Sequence, residues 1–526
     1  MKLKPRARKF FLGCLVLILL GLSFAFAQPE EPLEEFAKRL DARILRLLRR
    51  YKVPGVGVAV VHGGSVAWVK GYGLADEASA QPVTRDTVFQ VASVSKPVAA
   101  WGVLRLVEQG KLELDAPVSQ YLKRWQLPAS EFDSSGVTIR RLLSHSAGLS
   151  VHGYHGFEPT ETLPTLEESL SGKDKVYVGP KGGPTDVRVV AEPGGEFRYS
   201  GGGYTLLQLL IEEVSGHLFA DFMQREVLSP LGMTRSAYEW TPEMKPLTAT
   251  AYEQSGEPAP NYLFTAKAAA GLYTTPSDLA HWLAAAMPGG AGEPAGRGVL
   301  SPETLQQMLT PLDPTLTTWG PDSSYGLGYL ITTLRNGTRM ISHGGDNQGW
   351  KAQVAALPEK GEGIVILANS DSAARLVHYD VFCMWSDWAA DDTPRICRTR
   401  QEQKKTVVGM SASLGAILGL YVWWVALSIR GGRRRLTWAA ARPLTPRRLL
   451  RIVLPALFAL LWYLAWHTEI LPALTGGPPG IKPYDNMPRE FRWLTFVLVC
   501  WGSALTTTAF LQKRRPRPEP SVRGMG

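Results

Sequence analysis

The last quarter of this 526-residue chain contains three long apolar runs, and these constrain its architecture more than any other feature. They cover residues 407–429, 449–471 and 493–511, and each has about the length that crosses a bilayer. Basic residues fill the first connection and follow the last run: Arg430, Arg433, Arg434, Arg435, Arg442, Arg447, Arg448, Arg451, Lys513, Arg514, Arg515 and Arg517. The pattern predicts a membrane domain over residues 401–526 with three transmembrane helices. A buried helical domain is the alternative, and it does not explain the basic flanks.

The first 27 residues have the composition of a secretory signal peptide. They contain five Lys or Arg and no acidic residue, and an apolar stretch over residues 10–27 follows the basic start. Ala25-Phe26-Ala27 is a small-residue cleavage site, so we expect the mature chain to begin at Gln28. An uncleaved anchor is the alternative, because the stretch is near spanning length.

Charge separates the ends of the chain from its middle. Residues 28–399 contain 33 basic and 42 acidic residues, although the whole chain has a formal net charge of +10. The excess positive charge flanks apolar segments, so it indicates membrane topology and not nucleic-acid binding. By the positive-inside rule the basic regions are cytoplasmic. This predicts a multi-pass protein of the cell membrane, with a domain over residues 28–400 on the extracytoplasmic side.

The exported part alternates helical and strand patterns, which is typical of an α/β fold. Apolar residues at helical spacing over 33–52 predict a first helix, and Asn336-Gly337 between two strand patterns is a strong hairpin signal. Further strand patterns cover residues 56–62, 65–72, 328–333, 338–342, 353–357 and 364–369, and further helical patterns cover 206–214 and 277–287. We expect an antiparallel sheet flanked by helices, a helical subdomain, and a long loop over the site at 150–192.

The segment Ser93-Val94-Ser95-Lys96 contains the strongest chemical signal. A helical pattern begins here, and residues three apart on a helix share a face, so Ser93 and Lys96 are expected to be neighbours. A hydroxyl is a poor nucleophile without a base, and a desolvated amine loses its proton near neutral pH and can serve as that base. The motif alone also fits an exposed Ser and Lys on a helix surface.

Two further segments contain residue types that suit a hydrolytic site. Tyr199 follows a Gly-rich turn and is a candidate general base if a nearby Lys lowers its pKa. A packed aromatic residue is the alternative at that position. His343-Gly344-Gly345 closes the predicted hairpin, where a His can contact a substrate and the glycines leave backbone N–H groups accessible to an oxyanion. A turn with an exposed His is the alternative there.

Together these motifs resemble those of the serine β-lactamase and penicillin-binding protein superfamily. The order is Ser93-x-x-Lys96, then Tyr199-Ser200-x, then His343-x-Gly345. Three supporting blocks match in the same order, at residues 142–149, 230–233 and 270–279. The resemblance covers roughly residues 35–390 and is strongest to the branch of class C β-lactamases, D-peptidases and esterases. It implies a β-lactamase/transpeptidase-like fold.

The resemblance implies catalytic roles for three residues. Ser93 would be the acylated nucleophile, and Lys96 and Tyr199 would manage its proton. The backbone N–H groups of Ser93 and of Asp346, which follows Gly345, would form the oxyanion hole.

Two positions depart from the family pattern and bear on the substrate. Gly201 stands where the Y-x-N motif has an Asn whose amide holds a substrate carbonyl. His343 stands where many relatives have a Lys that would grip a substrate carboxylate. Both departures disfavour efficient β-lactam hydrolysis and favour an esterase or peptidase that acts on a less anionic substrate.

The sequence therefore predicts a membrane-anchored, exported serine hydrolase that forms an acyl-enzyme with an ester, an amide or a D-amino-acid-containing peptide. The alternatives are a sensor that is acylated without turnover and a scaffold without activity, which the intact catalytic set disfavours. Expected partners are a small-molecule or peptide substrate, with cell-envelope compounds as candidates, and the lipid bilayer. Nucleic acid is not expected as a partner.

No cofactor or metal is expected for this chemistry. His145, His152 and His155 lie close in sequence, but their spacing matches no familiar zinc pattern. His145 is expected to be a structural residue with satisfied hydrogen bonds.

Overall fold

The computed structural model describes residues 31–179, 182–313, 315–373, 376–436, 446–468, 470 and 490–513. The chain divides into two compact units, Met1–Asp392 and Thr393–Gly526. This division lies close to residue 400, where the sequence predicts the boundary. The predicted signal peptide, residues 1–27, lies outside the described residues.

An eight-stranded antiparallel sheet forms the centre of the first unit. In chain order its strands, β1 to β8, are Gly55–His62, Ser65–Asp76, Gln81–Pro82, Ser323–Tyr325, Leu330–Thr333, Arg339–Asn347, Trp350–Leu357 and Glu362–Ala368. Their spatial order is β4-β5-β6-β7-β8-β1-β2-β3, so strands from the beginning and the end of the unit share one sheet. The helical middle of the unit is inserted between β3 and β4.

The hairpins predicted from the sequence are confirmed. β1 turns into β2 at Gly63 and Gly64, whose φ angles of +57° and +68° favour glycine. β5 and β6 pair on either side of Asn336-Gly337, as the turn signal indicates. β7 and β8 form the third hairpin, and both are buried along their whole length. The central strands are therefore covered on both faces, which explains their continuous apolar sequences.

Five longer helices accompany the sheet in the described part of the first unit. In chain order, α1 to α5 are Leu33–Tyr51, Ser95–Glu108, Gly201–Ser215, Pro276–Ala285 and Phe382–Ala390. α2 is buried over most of its length, so neighbours on every side fix its first turn. α4 packs on β1, β2 and β8. Shorter helices are Ile139–Leu143, Leu166–Glu168, Phe219–Met223, Lys267–Ala270 and Pro302–Met308.

The segment 150–192, predicted as a loop, contains some regular structure. Gly153–Tyr154 pairs with Val176–Tyr177, and Leu166–Glu168 continues into a helical turn at Ser169–Lys173. The prediction of a loop is wrong at these positions. Strands of two residues and single turns are too short to produce a periodic pattern.

Within its described residues, the second unit contains three longer helices, α6 to α8: Arg395–Arg430, Pro446–His467 and Phe491–Thr508. Two segments, Arg395–Arg430 and Leu449–His467, are long and apolar enough to cross a membrane by length and composition. The third predicted span is helical over 18 residues but is not among the helices that meet that standard. The three predicted transmembrane helices are therefore not confirmed as a set.

Candidate active site

Ser93 lies on a tight turn that leads into α2. Residues Ala92–Val94 form a 3-10 turn, and the α-helix begins at Ser95. Ala92 has a φ of +48°, a strained conformation for a residue with a Cβ atom. The structure thus corrects the expectation that Ser93 shares a regular α-helical face with Lys96. Strain of this kind persists only where the surrounding contacts hold it.

Ser95 supplies such contacts to the strained turn. Its hydroxyl donates to the Ala92 carbonyl over 2.5 Å and accepts from the Leu272 N–H over 2.9 Å. The Tyr238 hydroxyl donates to the Ser95 carbonyl over 2.7 Å. Because all three hydrogen bonds are buried, breaking one would leave an unpaired polar group away from water. They therefore hold the turn that presents Ser93.

Lys96 places its amine directly beside the Ser93 hydroxyl. Its Nζ donates to the Ser93 Oγ over 3.0 Å and to the Ala269 carbonyl over 2.8 Å. The ring centroids of Tyr199 and Tyr204 lie 4.9 and 5.8 Å from Nζ. Only 2 % of Lys96 is exposed to solvent. Burial lowers the pKa of Lys96 to about 7, so a large fraction of the amine is neutral at neutral pH.

The short helix Lys267–Ala270 contains the Ala269 carbonyl that accepts from Lys96, and Gln208 on α3 holds this helix in place. The Gln208 side chain donates to the Thr265 carbonyl over 3.0 Å and accepts from the Ala268 N–H over 3.0 Å. Both hydrogen bonds are buried, so they define where the carbonyl beside Nζ lies. The position of the amine therefore depends on α3 as well as on α2.

Tyr199 lies next to the Ser93–Lys96 pair and keeps its proton. Burial raises the pKa of Tyr199 above its ordinary value, and a hydrogen bond with the Ser93 side chain opposes this rise only in part. The sequence analysis predicts Tyr199 as a candidate general base if a nearby Lys lowers the pKa of its phenol. That condition is not met, because burial raises the pKa of the Tyr199 phenol and Lys96 does not lower it. The phenol is instead suited to donate a proton.

His145 packs against Tyr199, with ring centroids 4.2 Å apart. Its Nδ1 accepts from the Ser200 N–H over 3.1 Å, and burial lowers the pKa of His145 well below its ordinary value. The neutral ring therefore carries its proton on Nε2, which has no hydrogen-bond partner in the described residues. The expected satisfied hydrogen bonds are present at one ring nitrogen and absent at the other.

His343 on β6 is a neutral member of the site. Its Nδ1 donates to the Gly344 carbonyl over 2.7 Å, so Nε2 accepts from the Tyr325 hydroxyl over 2.9 Å. Burial lowers the pKa of His343 to about 3, and the charge of Lys96 acts in the same direction. At neutral pH His343 carries no charge. It therefore does not replace the Lys that would attract a substrate carboxylate.

Gly345 brings β6 into close contact with the nucleophile turn. A Cβ atom at this position would lie 2.1 Å from the Val91 carbonyl oxygen. A residue with a side chain would therefore push β6 away from the turn that presents Ser93. Gly345 and Asp346 line the same cavity as Ser93. The predicted oxyanion donors, the N–H groups of Ser93 and Asp346, thus lie on two segments in close contact. Their role in binding an oxyanion stays a prediction.

The Asp346 carboxylate is engaged in an ion pair beside the cavity. The Lys351 Nζ lies 2.5 Å from an Asp346 oxygen and 2.6 Å from an Asp371 oxygen. Burial lowers the pKa of Lys351, but the two carboxylates outweigh burial and raise it. One ammonium group is therefore shared between two carboxylates at this position, which leaves a net charge of −1.

Gly201 is not brought to the cavity. It is the buried first residue of α3, and its N–H donates to the His152 carbonyl over 3.0 Å. A Cβ atom there would lie 3.0 Å from that carbonyl oxygen. Gly201 is absent from the described residues that line the cavity. The substrate contact predicted for it is therefore not seen.

The other predicted site residues line one open cavity of about 580 Å³, and Tyr325 and Trp319 line it as well. Lys96 is the only Lys or Arg among the described residues that line it. In the described ranges, no group of three or more His, Cys, Asp or Glu could hold a metal ion. The predicted residues brought together are Ser93, Lys96, Tyr199, His343, Gly345 and Asp346.

Sequence reasoning missed three features of the site: Tyr325, Trp319 and the Ala269 carbonyl. Tyr325 lies 18 residues before the His that it contacts, and no local pattern links the two. Trp319 lies in an irregular segment without periodicity. Ala269 directly precedes the matching block at residues 270–279. This proximity was the one available signal that Ala269 lies near the site.

Comparison with protein-family models identifies the class of protein. The model described as Beta-lactamase matches residues 40–381, which is well over half of the chain. The chain therefore belongs to the beta-lactamase family, whose members are generally serine hydrolases.

Individual relatives match only part of their own length. Protein flp of Staphylococcus aureus (strain NCTC 8325 / PS 47) is 24% identical over 344 residues, which are 64% of this chain and 63% of that protein. Esterase EstB of Burkholderia gladioli is 32% identical over 203 residues, which are 38% of this chain and 50% of that protein. The chain thus spans less than two thirds of the length of these curated relatives.

A solved structure shares the fold of the first unit. The octameric penicillin-binding protein homologue from Pyrococcus abyssi superimposes with a TM-score of 0.54 and 26% sequence identity. The match covers 67% of this chain and 76% of that one. The predicted β-lactamase/transpeptidase-like fold is therefore confirmed.

Proposed function

We propose that this chain is a serine hydrolase that cleaves uncharged esters through an acyl-enzyme on Ser93. One observation carries the proposal. The Lys96 amine is 3.0 Å from the Ser93 hydroxyl, and burial lowers its pKa to about 7. A base with a pKa near the working pH is both available and strong enough to accept the hydroxyl proton.

Acylation begins when neutral Lys96 takes the proton of the Ser93 hydroxyl. As this proton leaves, Oγ bonds to the ester carbonyl carbon, and the π electrons move to the carbonyl oxygen. The predicted donors for that oxyanion are the N–H groups of Ser93 and Asp346. When the bond to the alkoxy group breaks, Tyr199 donates its proton to the departing oxygen. Lys96 then returns a proton to the Tyr199 phenolate, which restores both groups.

Deacylation repeats these proton movements with water in place of the serine hydroxyl. Lys96 accepts a proton from the water, whose oxygen bonds to the acyl carbon. The Ser93 oxygen leaves and takes a proton from Tyr199. The products are a carboxylic acid and the free serine.

The charge state of the cavity favours an ester over an anionic substrate. D-amino-acid peptides that end in a carboxylate and β-lactams that carry one need a cation near the nucleophile. His343 is neutral, and Lys96 is occupied by the nucleophile and a backbone carbonyl. The similarity of part of the chain to Esterase EstB supports the same choice.

We also propose that the chain is anchored in the cell membrane, with the hydrolase unit on the extracytoplasmic side. The most apolar stretches of α6 and α7 are only 11% and 0% buried, so their side chains are available to lipid. The basic residues beyond α6 support a cytoplasmic position for that end. A protease added to intact spheroplasts should therefore degrade the first unit. Protection of that unit would contradict the orientation.

Turnover by the full chain in detergent tests the proposed activity. Methyl acetate should be hydrolysed in a steady state, and Ser93→Ala should abolish this hydrolysis without altering the circular dichroism spectrum. A single stoichiometric burst would instead favour the sensor that is acylated without turnover. Undiminished hydrolysis by Ser93→Ala would refute the proposal.

A further inference from the structure

Four neighbouring rings that line the cavity form an aromatic wall, and these are Trp319, Tyr199, His152 and Tyr177. Neighbouring ring centroids are 5.7 Å apart for Trp319 and Tyr199, 5.0 Å for Tyr199 and His152, and 5.2 Å for His152 and Tyr177. The wall therefore extends to both sides of the ring that lies next to the Ser93–Lys96 pair.

The two ends of the wall retain large exposed surfaces. Trp319 is 66% exposed and Tyr177 is 45% exposed. Only three other large hydrophobic side chains are exposed in the described residues up to 392, and these are Leu45, Leu218 and Leu247. Both large exposed aromatic side chains in this described part of the chain therefore belong to the cavity. Aromatic surface left open beside a nucleophile is suited to bind an apolar group of the substrate.

Among the described residues that line the cavity, Lys96 is the only Lys or Arg, and its amine is engaged by Ser93 and the Ala269 carbonyl. Burial lowers the pKa of His152, as it does for His343, so both rings are neutral near pH 7. The Asp346 carboxylate, which also lines the cavity, is paired with Lys351. The group bound by the wall is therefore expected to be uncharged.

Ring orientation distinguishes a planar ligand group from an aliphatic one. Neighbouring rings are inclined at 49°, 45° and 79°, so the wall is staggered and not a flat slot. A planar aromatic group can meet such rings both face-on and edge-on, and these contacts add to the effect of area burial. A saturated ring of equal size gains the area burial alone.

We propose that the aromatic wall binds an uncharged aryl group of the substrate close to the scissile carbonyl. Esters that carry an aryl group on the acyl side or on the alcohol side are then the preferred substrate class. This inference rests on the proposed esterase activity. Two additional ring contacts would together raise kcat/KM by roughly 5- to 150-fold over a saturated substrate of the same size.

Two matched pairs of esters test the proposal on the full chain in detergent. Methyl phenylacetate is compared with methyl cyclohexylacetate for an aryl group on the acyl side. Benzyl acetate is compared with cyclohexylmethyl acetate for an aryl group on the leaving side. The aryl ester should have the higher kcat/KM in at least one pair. Equal values in both pairs would overturn the proposal, because the wall would then act only through apolar area.

Variants assign the preference to the wall. Trp319→Ala should remove most of the aryl preference and Trp319→Phe should retain part of it, with the preference taken as the ratio of kcat/KM values within each variant and the rate of methyl acetate hydrolysis recorded beside it. Leu218→Ala, a control at an exposed side chain away from the cavity (64% exposed), should change neither. An aryl preference that survives in both Trp319→Ala and Tyr177→Ala would overturn the assignment. Failure to hydrolyse methyl acetate at all would refute the esterase proposal and is thus a separate outcome.

A charged analogue completes the test. Methyl 4-carboxyphenylacetate presents the same ring with a carboxylate, and it should be hydrolysed at least several-fold less efficiently than methyl phenylacetate. A preference for the charged ester would contradict the neutral cavity on which the proposal rests.

Discussion

The Nζ atom of Lys96 lies 3.0 Å from the Oγ atom of Ser93, in a position where only 2 % of the lysine is exposed. Burial and proximity act together here. Burial removes the water that would stabilise the ammonium ion, so the pKa of the amine falls to about 7. Proximity lets the resulting neutral amine accept the serine proton directly. A surface lysine at the same distance would remain protonated and would not act as a base.

The rate should follow the ionisation of this lysine. Because neutral Lys96 is the active form, kcat/KM should rise about tenfold per pH unit below pH 7 and become level above it. Lys96→Met should lower kcat/KM by roughly 10²- to 10⁴-fold and remove this dependence. Lys111→Met, at an exposed lysine, serves as the control and should retain the profile. A profile without an ionisation near pH 7 would show that another group is the base.

Tyr199→Phe should reveal a proton donor. Its phenol has a raised pKa and remains protonated, so the variant should lose more activity toward esters with poorly leaving alkoxides than toward nitrophenyl esters. The expected loss is roughly 10²-fold for an alkyl ester and much smaller for nitrophenyl acetate. Equal losses for both substrates would indicate that Tyr199 acts as the base or only by packing.

His343→Lys should change the preference for charge. The natural His343 is neutral because burial lowers its pKa to about 3. An ammonium group at this position should narrow the difference in kcat/KM between a neutral ester and its carboxylate analogue by roughly tenfold. Tyr325→Phe removes the hydrogen bond to His343 without adding a charge and is the matched control. An unchanged ratio in His343→Lys would mean that substrate carboxylates do not approach this position.

Gly345→Ala should separate β6 from the nucleophile turn. The added Cβ atom would lie 2.1 Å from the Val91 carbonyl oxygen, so strand or turn must move. We expect a loss of roughly 1–3 kcal/mol in the free energy of unfolding. We also expect a fall in kcat of roughly 10²-fold, because small displacements of the reacting groups are costly. Thermal melting and kcat measured on the same sample check both effects, and full activity would argue against β6 as a source of oxyanion donors.

Local signals account for the parts of the fold and site that the sequence predicts correctly. The turn at Asn336-Gly337 and the apolar strands on either side are properties of neighbouring residues. The spacing of Ser93 and Lys96 also keeps their side chains together, although the backbone between them begins as a 3-10 turn. The order of the three distant motifs was interpreted through the resemblance to the serine β-lactamase superfamily, because periodicity within short segments gives no information about it.

The remaining features depend on contacts between distant segments. Burial makes the His343 imidazole neutral, and its hydrogen bond with Tyr325 requires the approach of β6 to β4 across β5. Gly201 is buried because the strand Gly153–Tyr154 covers it, and Trp319 reaches the cavity from an irregular segment. The raised pKa of Tyr199 likewise results from burial, which depends on the whole fold. Local sequence patterns do not report such contacts.

Rapid-quench mass spectrometry of the full chain during hydrolysis of an activated ester tests the central claim most directly. The account predicts one acyl group per chain, attached to Ser93, which forms and decays at least as fast as steady turnover. Ser93→Ala should show neither the adduct nor the turnover. Turnover in that variant, or an acyl group found on a different residue of the unmodified chain, would contradict the account.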